Sequence, residues 1–298
     1  MQGNDQGILD FVPMGPGRIH PRTGWSSMAA WLEALESTEV KNNSWTQSPR
    51  VGNERWSGGS WAGAVRLCRE GWPEGARRAA LLRDKIEARH PIRTQLSTWS
   101  VAGAVPSVPR AVGGNPMNMR KPDPSRTNRR PVVTLCAQTN GTAQYDAEEL
   151  ENRVAIVAAI VDVVEAAGYS THVIGFAYSS GPGDSGCTMA ITLKEPGEPA
   201  DIGRLAFGLG HPALFRRFGF AQYAAHRELK SCGWGEGMGS TKPLSVSKVS
   251  DSYVIPGLQD PRMQGAFRSE KGAVEKGLPL MIRALKEQGC PAFPKEEF

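Results

Sequence analysis

Val132-Val-Thr-Leu-Cys136 is a β-rich run, and a polar turn, Ala137-Gln-Thr-Asn-Gly-Thr-Ala143, follows it directly. A long apolar helical stretch and a second β-rich run, Thr171-His-Val-Ile-Gly-Phe-Ala-Tyr178, come next. Two such strands joined by a crossover helix make one β-α-β unit with parallel strands. The sequence therefore predicts the α/β class, with any ligand at the carboxyl ends of the strands. The candidate ligand-binding residues are Thr139, Asn140, Thr142 and Ser179. The alternative is a plain connecting turn whose side chains cap one another.

The elements around this unit extend the prediction to a small doubly wound, Rossmann-like sheet. Asp146-Ala-Glu-Glu149 is typical of a capping box, residues 154–167 are apolar nearly all round, and Gly168 ends the helix. After a glycine-rich turn, residues 187–193 predict a third strand, antiparallel because the connection is short, at the sheet edge. Helices over 201–207 and 212–229, a strand over 251–256 and a final helix over 273–288, restarted at Pro279, complete the order.

Composition changes along the chain predict three segments. Residues 1–90 have a helical pattern and contain six tryptophans, which predict a separate Trp-rich module: Trp25, Trp31, Trp45, Trp56, Trp61 and Trp72. Residues 91–131 are rich in proline and in basic residues, and we expect a connector that wraps the surface. Residues 132–298 form the predicted α/β domain.

Overall composition excludes several classes of protein. The net charge of +5 favours anionic partners only mildly. The five cysteines form no Cys-x-x-Cys pair, so we expect no structural zinc. No other metal and no cofactor is expected. We find neither a signal sequence nor the ~20 apolar residues needed to span a bilayer. A reducing cytoplasm is the expected location, and no membrane partner is expected.

The basic part of the connector, residues 117–130, is the candidate nucleic-acid site. It holds five positive charges against one negative charge. The positive charges belong to Arg120, Lys121, Arg126, Arg129 and Arg130. Such a segment would follow phosphates in a salt-dependent way. Because no aromatic residue lies between the charges, stacking on bases is not indicated. A solvated linker or an arm against a neighbouring subunit is the alternative.

Five further positions are predicted to be structural rather than catalytic. Cys136 and His172 lie at the ends of neighbouring strands, but a buried strand cysteine is usually a small apolar residue. His211 precedes Pro212 and is expected to cap a helix. One of Arg216 and Arg217 is expected to form an internal ion pair, while the other faces solvent.

The order of elements over residues 132–290 resembles a von Willebrand factor A-type domain. The shared features are the first strand, the polar turn, the buried helix and the antiparallel hairpin. That family's magnesium site requires an Asp-x-Ser-x-Ser turn, which supplies hard oxygen ligands. Here the turn is Ala137-Gln138-Thr139-Asn140-Gly141, with alanine at the aspartate position. The resemblance therefore implies the fold without an intact metal site.

Four short motifs are similar to those of uncharacterised proteins of tailed bacteriophages: Trp56-Ser-Gly-Gly-Ser-Trp-Ala-Gly-Ala, Gly71-Trp72-Pro73-Glu74-Gly75, Val101-Ala-Gly-Ala-Val-Pro-Ser-Val-Pro-Arg110 and His211-Pro-Ala-Leu-Phe-Arg-Arg-Phe-Gly-Phe220. This resemblance implies a phage origin and a location in the host cytoplasm, with the virion as the alternative. Partners would then be other phage or host proteins, or a second copy of the chain.

These observations predict a non-enzymatic protein-binding or assembly module. The first alternative is a nucleic-acid-binding protein of phage replication or packaging that uses residues 117–130. The second is an enzyme with a pocket around Thr139, Asn140 and Ser179. No catalytic motif in the sequence supports the enzyme directly.

Overall fold

The computed structural model describes residues 10–13, 19–37, 54–89, 97–103, 105–122, 131–140, 144–180, 186–225, 240–241 and 252–293. The strands are β1 Asp10–Pro13, β2 Ile19–Trp25, β3 Ser97–Ser100, β4 Val105–Pro106, β5 Met119–Pro122, β6 Val132–Gln138, β7 Ser170–Ser180, β8 Gly186–Lys194, β9 Ser240–Thr241 and β10 Tyr253–Ile255. The α-helices are α1 Met28–Ser37, α2 Glu54–Ser57, α3 Trp61–Glu70, α4 Pro73–Arg89, α5 Val108–Val112, α6 Ala147–Ala166, α7 Ile202–Gly208, α8 Phe220–Ala225, α9 Glu270–Gly272 and α10 Leu278–Glu287. Leu214–Gly219 and Ala273–Gly277 are π-helical, and Pro261–Met263 is a 3-10 turn.

Seven strands form one mixed sheet in the order β1-β2-β8-β7-β6-β10, with β9 paired to the end of β7. β6 lies parallel to β7, from Val132 opposite Ser170 to Gln138 opposite Phe176. β10 lies parallel to β6 on its other side. The predicted β-α-β unit is confirmed, and the protein is of the α/β class.

α6 connects β6 to β7 and is covered on nearly all sides, which explains its apolar sequence. It contacts β7 of the sheet and the helices α4 and α7. The backbone N–H of Asp146 donates to Glu149 Oε2 at 3.3 Å, and Gly168 follows the helix with a φ of 89°. The predicted start and end of this helix are therefore confirmed. In the described parts of the chain, no helix is long and apolar enough to cross a bilayer.

The predicted direction of β8 is confirmed, but its predicted place at the sheet edge is wrong. β8 lies antiparallel to β7, as its short connection requires. It is not an edge strand, because β2 pairs with it in parallel, from Arg22 opposite Thr188 to Trp25 opposite Ile191. β1 then pairs antiparallel with β2 and extends the sheet further.

The amino-terminal stretch, predicted to be helical, therefore contributes two strands to the main sheet. Its helices share the core as well: the ring centroids of Trp31 and Trp61 lie 5.7 Å and 5.0 Å from that of Phe218. Trp25, Trp31 and Trp72 are buried, Trp56 and Trp61 are partly buried, and Trp45 lies outside the described residues. The division into a 1–90 module and a 132–298 domain stays a prediction, but the described residues of both belong to one hydrophobic core.

The carboxyl-terminal helix is divided near the predicted position. A π-helical turn over Ala273–Gly277 precedes α10, which begins at Leu278, directly before Pro279. Proline lacks the N–H that a continuous α-helix needs at that position. The wider π-helical turn resolves this conflict, because it changes the hydrogen-bond pattern ahead of the proline.

The connector is more ordered than the sequence indicated. β3, β5 and β4 form a separate three-stranded antiparallel sheet, in which β5 lies in the middle. α5 follows β4, and the backbone N–H of Ser107 donates to Asn118 O at 2.7 Å, which joins the start of α5 to β5. These strands are very short, and prolines lie at strand ends, so the sequence pattern did not predict them.

Candidate functional site

The carboxyl ends of β6 and β10 form the topological switch point of the sheet. The chain leaves β6 toward β7 on one side and returns to β10 on the other. In sheets of this kind a ligand binds in the crevice between two such strand ends. Thr139 and Asn140 follow β6, and Gly257 and Gln259 follow β10. The structure thus places two of the predicted ligand-binding residues at the expected position.

Amide side chains of the protein itself fill this crevice. Gln138 Nε2 donates to Asn140 Oδ1 at 3.0 Å, and Gln259 Nε2 donates to Asn140 O at 3.1 Å. A Cβ atom at Gly257 would lie 2.3 Å from Gln138 Oε1, so any other residue there would displace the Gln138 side chain. The side chain of Asn140 is therefore engaged internally, and Gln138 and Asn140 are only 1% and 3% exposed.

The other predicted residues of this site have backbone roles or lie outside the description. The backbone N–H of Thr139 donates to Phe176 O at 2.7 Å, and its Oγ1 donates to the same oxygen at 3.3 Å. Ser179 pairs through its backbone with Cys187 of β8 and Thr241 of β9. Thr142 lies outside the described residues. A ligand at these residues stays a prediction.

A buried arginine supports the same crevice from α6. Arg153 donates from Nε and Nη2 to Pro256 O at 3.3 Å and 3.2 Å, and from Nη1 to Leu209 O at 3.4 Å. Burial lowers its pKa to about 10, so the guanidinium keeps its charge at neutral pH. These bonds tie the end of β10 to the turn after α7. Sequence reasoning missed Arg153 because it lies within an apolar helix with no nearby motif.

Two of the motifs that the sequence singled out meet beside the crevice. Arg216 donates to Trp56 O and, at 2.7 Å, to Tyr145 O, while its guanidinium lies 4.2 Å from the Trp56 ring centroid. Arg217 donates to Gly59 O at 2.9 Å and to Ser57 Oγ at 2.8 Å. The first motif therefore surrounds the arginines of the π-helical turn.

The prediction that one of the two arginines faces solvent was wrong. Arg216 and Arg217 are 3% and 5% exposed, so neither faces solvent. Their hydrogen bonds described above go to backbone carbonyls and a hydroxyl rather than to a carboxylate. Burial lowers the pKa of Arg216 to about 10, partly offset by Asp146. The Trp56 ring and carbonyl dipoles at Arg216, and a carbonyl and a hydroxyl at Arg217, replace the water that each guanidinium gives up on burial.

His211 is a helix cap, as predicted. Its Nδ1 accepts from the backbone N–H of Ala213 at 3.2 Å, and its ring packs edge-on against Trp72 at a centroid distance of 4.8 Å. Burial lowers the pKa of His211 to about 4, so the imidazole is neutral at physiological pH. A neutral ring is required because a protonated Nδ1 would not accept this hydrogen bond.

Cys136 and His172 do not form a catalytic pair. Cys136 stands opposite Ile174, whereas His172 stands opposite Thr134 in the same strand register. Burial raises the pKa of the Cys136 thiol, which disfavours the thiolate. His172 Nε2 instead lies 3.9 Å from Glu195 Oε2.

A half-open cavity of about 250 Å³ lies between α1, α3 and α7, lined mainly by Leu32, Glu36, Cys68, Arg69 and Arg204. Arg69 Nη2 donates to Glu36 Oε2 at 2.8 Å, and Arg204 Nη2 donates to Arg69 O at 2.9 Å. Burial raises the pKa of the Cys68 thiol to about 11, so it is not a nucleophile at neutral pH. Arg69 and Glu36 therefore pair with each other, and the backbone carbonyl of Arg69 holds Arg204.

The connector carries most of the exposed apolar side chains. Of the six large apolar residues that are exposed in the described parts of the chain, four lie here: Val101, Val108, Val112 and Met117. We call these four residues, with Trp99 and Arg110, the connector surface. Val108 and Val112 are 67% and 83% exposed and one helical turn apart on α5. Arg110 lies 4.1 Å from the Trp99 ring centroid and donates to Met117 O at 3.3 Å, which holds these parts together.

Two of the five predicted basic residues lie on the middle strand of the connector sheet. Arg120 and Lys121 belong to β5, opposite Trp99 and Thr98 of β3. Arg126, Arg129 and Arg130 lie outside the described residues. Binding of nucleic acid by these five residues stays a prediction. Among the described residues, no group of three or more His, Cys, Asp or Glu side chains is arranged to hold a metal ion.

The fold and these sites define a mixed α/β protein with a filled switch point and an exposed apolar connector. The model of the family described as Domain of unknown function (DUF7192) matches residues 20–290, and the chain belongs to that family. The match includes the amino-terminal helices, the connector and the α/β part. Comparison with curated proteins and with solved structures gives no match.

Proposed function

We propose that this protein is a non-enzymatic protein-binding or assembly module of phage origin, and that it binds its partners through the connector surface. The observation that carries the proposal is the exposure of Val101, Val108, Val112 and Met117 in one short segment. Monomeric proteins rarely expose grouped apolar residues unless these residues contact a partner. Partners would be other phage or host proteins, or a second copy of the chain.

The fold is compatible with a degenerate von Willebrand A-like domain. Support comes from the parallel pair β6 and β7, the covered helix α6 and the antiparallel β8. Ala137, at the position of the metal-binding aspartate in that family, is fully buried in β6 and has no ligand atom to offer. Binding in this protein would therefore not depend on a bridging metal ion.

An enzyme at the switch point is less well supported. Catalytic sites need space for a substrate beside their reactive groups. The crevice is occupied by Gln138 and Gln259, and Asn140 bonds to both of them. The described residues there serve packing and hydrogen bonding.

A photo-crosslinking experiment tests the proposal. A benzoylphenylalanine would replace Val112 in the full chain, and the matched control would carry it at Ala62, an exposed position on α3. Both proteins would be irradiated in the cells that naturally make them. We expect discrete protein adducts from position 112 and none from position 62. Adducts with nucleic acid alone, or equal background from both positions, would contradict the proposal.

The second candidate function is nucleic-acid binding in phage replication or packaging, favoured by the five basic residues within 117–130. It predicts that replacing Arg126, Arg129 and Arg130 with serine weakens binding to DNA of any sequence and lowers its salt dependence. The protein-binding proposal predicts no measurable DNA affinity near physiological salt. Electrophoretic mobility shifts at several salt concentrations separate the two.

A further inference from the structure

The net positive charge of the protein resides in the connector. Residues 91–131 contain one acidic residue, Asp123, and seven basic residues: Arg93, Arg110, Arg120, Lys121, Arg126, Arg129 and Arg130. This segment carries +6, whereas the whole chain carries +5, so the rest of the chain is close to neutral at −1. A segment with this charge attracts anionic partners.

The same segment exposes aliphatic side chains. Val108 and Val112 project from α5 into solvent, and Val101 is 70% exposed after β3. Aliphatic groups gain free energy only when they leave water for apolar surroundings. A phosphate backbone offers no such surroundings, whereas a protein segment does. The valines therefore favour a protein over a nucleic acid as the anionic partner.

The single aromatic residue of the connector also favours a protein over a nucleic acid as the partner. Trp99 is the only Phe, Tyr or Trp in residues 91–131, and the Arg110 guanidinium covers one face of its ring. Proteins that hold single-stranded nucleic acid usually stack bases on several open aromatic rings. The connector has no such series of rings.

We propose that the connector surface binds an acidic, partly apolar segment of a partner protein. Carboxylates of that segment would pair with Arg110 of α5 and with Arg120 and Lys121 of β5, and its apolar side chains would cover Val108 and Val112. Arginine supports this mode because its guanidinium can hold a carboxylate through two parallel hydrogen bonds. This inference rests on the proposed function and specifies the chemistry of the partner.

Fluorescence anisotropy with full-length protein tests the inference with two labelled synthetic peptides. They share the same leucine and valine positions, and their remaining positions are glutamate in one and lysine in the other. A short single-stranded DNA is the third probe. The test variant is Val108→Ser/Val112→Ser. Its matched control is Leu81→Ser/Val132→Ser, which alters two residues that are 52% and 54% exposed outside the connector.

We expect the acidic peptide to bind at least about tenfold more tightly than the basic one, and binding to weaken as salt increases. The Val108→Ser/Val112→Ser variant should weaken it by roughly tenfold, while the control variant binds as the unchanged protein does. A second variant, Arg126→Ser/Arg129→Ser/Arg130→Ser, should reduce the salt dependence without altering the apolar contacts.

Equal binding of the two peptides, or equal losses in the test and control variants, would overturn the inference. Tight binding of the DNA that is unchanged in Val108→Ser/Val112→Ser would also overturn the inference, and would favour nucleic acid as the partner. The crosslinks from position 112 report on the proposed function separately. Protein adducts without a preference for the acidic peptide would overturn the partner chemistry alone, whereas adducts with nucleic acid only would overturn both.

Discussion

Gln288 bonds to both backbone groups of Val254 in the edge strand β10. The N–H of Val254 donates to Gln288 Oε1 at 2.7 Å, and Gln288 Nε2 donates to Val254 O at 2.8 Å. The side-chain amide thus takes the place of a neighbouring strand. Exposed edge strands promote pairing between chains, and covering them is a common protection. The assembly proposed above would accordingly use the connector rather than this edge of the main sheet.

Replacing Gln288 with alanine removes both bonds to Val254, which is buried. We expect a loss of about 1–3 kcal/mol in the free energy of unfolding, measured by urea denaturation. We also expect more aggregation, because the edge of β10 becomes available for pairing. Glu275→Ala, at an exposed position near α10, is the control. Equal stability of the two variants would show that Gln288 does not protect the edge.

The amide network at the switch point is predicted to be structural. Asn140→Ala removes the acceptor for Gln138 Nε2, and Gly257→Ala introduces a Cβ within 3 Å of both glutamine side chains. Each should lower the free energy of unfolding by about 1–3 kcal/mol. Gly24→Ala, where a Cβ meets no atom within 4 Å, is the control. Unchanged stability of Asn140→Ala would return this site to consideration as a ligand pocket.

How far the sequence predicts the fold depends on the range of the contacts. The unit β6-α6-β7 depends on a local pattern, and the caps at Asp146 and Gly168 were recognisable because they lie within one turn of the helix. β2 was missed because its residues, Ile19-His-Pro-Arg-Thr-Gly-Trp25, include proline and glycine, and because its partner β8 is far along the chain. Without that pairing, β8 had to be placed at an edge.

The range of the contacts also decides how much of the candidate sites can be predicted. Thr139 and Asn140 were placed at the carboxyl end of β6 from the sequence alone. Gln138 occupies the side chain of Asn140, and the backbone carbonyl of Asn140 accepts from Gln259, which follows another strand and carries no recognisable motif. The burial of Arg216 and Arg217 likewise depends on carbonyl groups at Trp56 and Gly59. A sequence does not show which backbone carbonyl will accept a hydrogen bond.

A buried ion pair between the end of α6 and the end of β8 should be essential for stability. Lys194 Nζ lies 2.9 Å from Glu165 Oε1, and that oxygen also accepts from the N–H and Oγ1 of Thr171 at 2.7 Å and 2.5 Å. Glu165→Gln would leave a buried ammonium without its counter-charge and should cost about 3 kcal/mol. Glu195→Gln, at a carboxylate that is 55% exposed, should cost less than about 1 kcal/mol.

The pH dependence of this pair has a definite sign. Burial raises the pKa of Glu165, but hydrogen bonds from Thr171 and Lys194 outweigh burial, so its pKa in the folded protein lies below the ordinary value of 4.5. Its contribution is present above that value and is lost as the pH falls through the folded pKa. Urea titrations below pH 4.5 should show this loss in the unchanged protein and not in Glu165→Gln. Parallel pH curves for both proteins would contradict the assignment.

His211 should produce a separate pH dependence at higher pH. Its pKa is about 4 in the folded protein against an ordinary value of 6.5, because burial disfavours the charged ring. The unfolded chain binds the extra proton between these values, so stability should fall as the pH drops from 6.5 toward 4. His211→Asn keeps a cap acceptor for the Ala213 N–H and does not titrate. The variant should lose this slope, and retention of the full slope would exclude His211 as its source.

Native mass spectrometry of the gently purified protein tests the central claim most directly, because one spectrum reports bound protein, metal, small ligands and nucleic acid. We expect complexes that contain only protein, and we expect Val108→Ser/Val112→Ser to release the partner while Leu81→Ser/Val132→Ser retains it. A bound nucleotide or magnesium ion would contradict the account and return attention to Thr139 and Asn140. Co-purifying nucleic acid, or the same complexes in both double variants, would contradict the claim that the connector surface binds a partner protein.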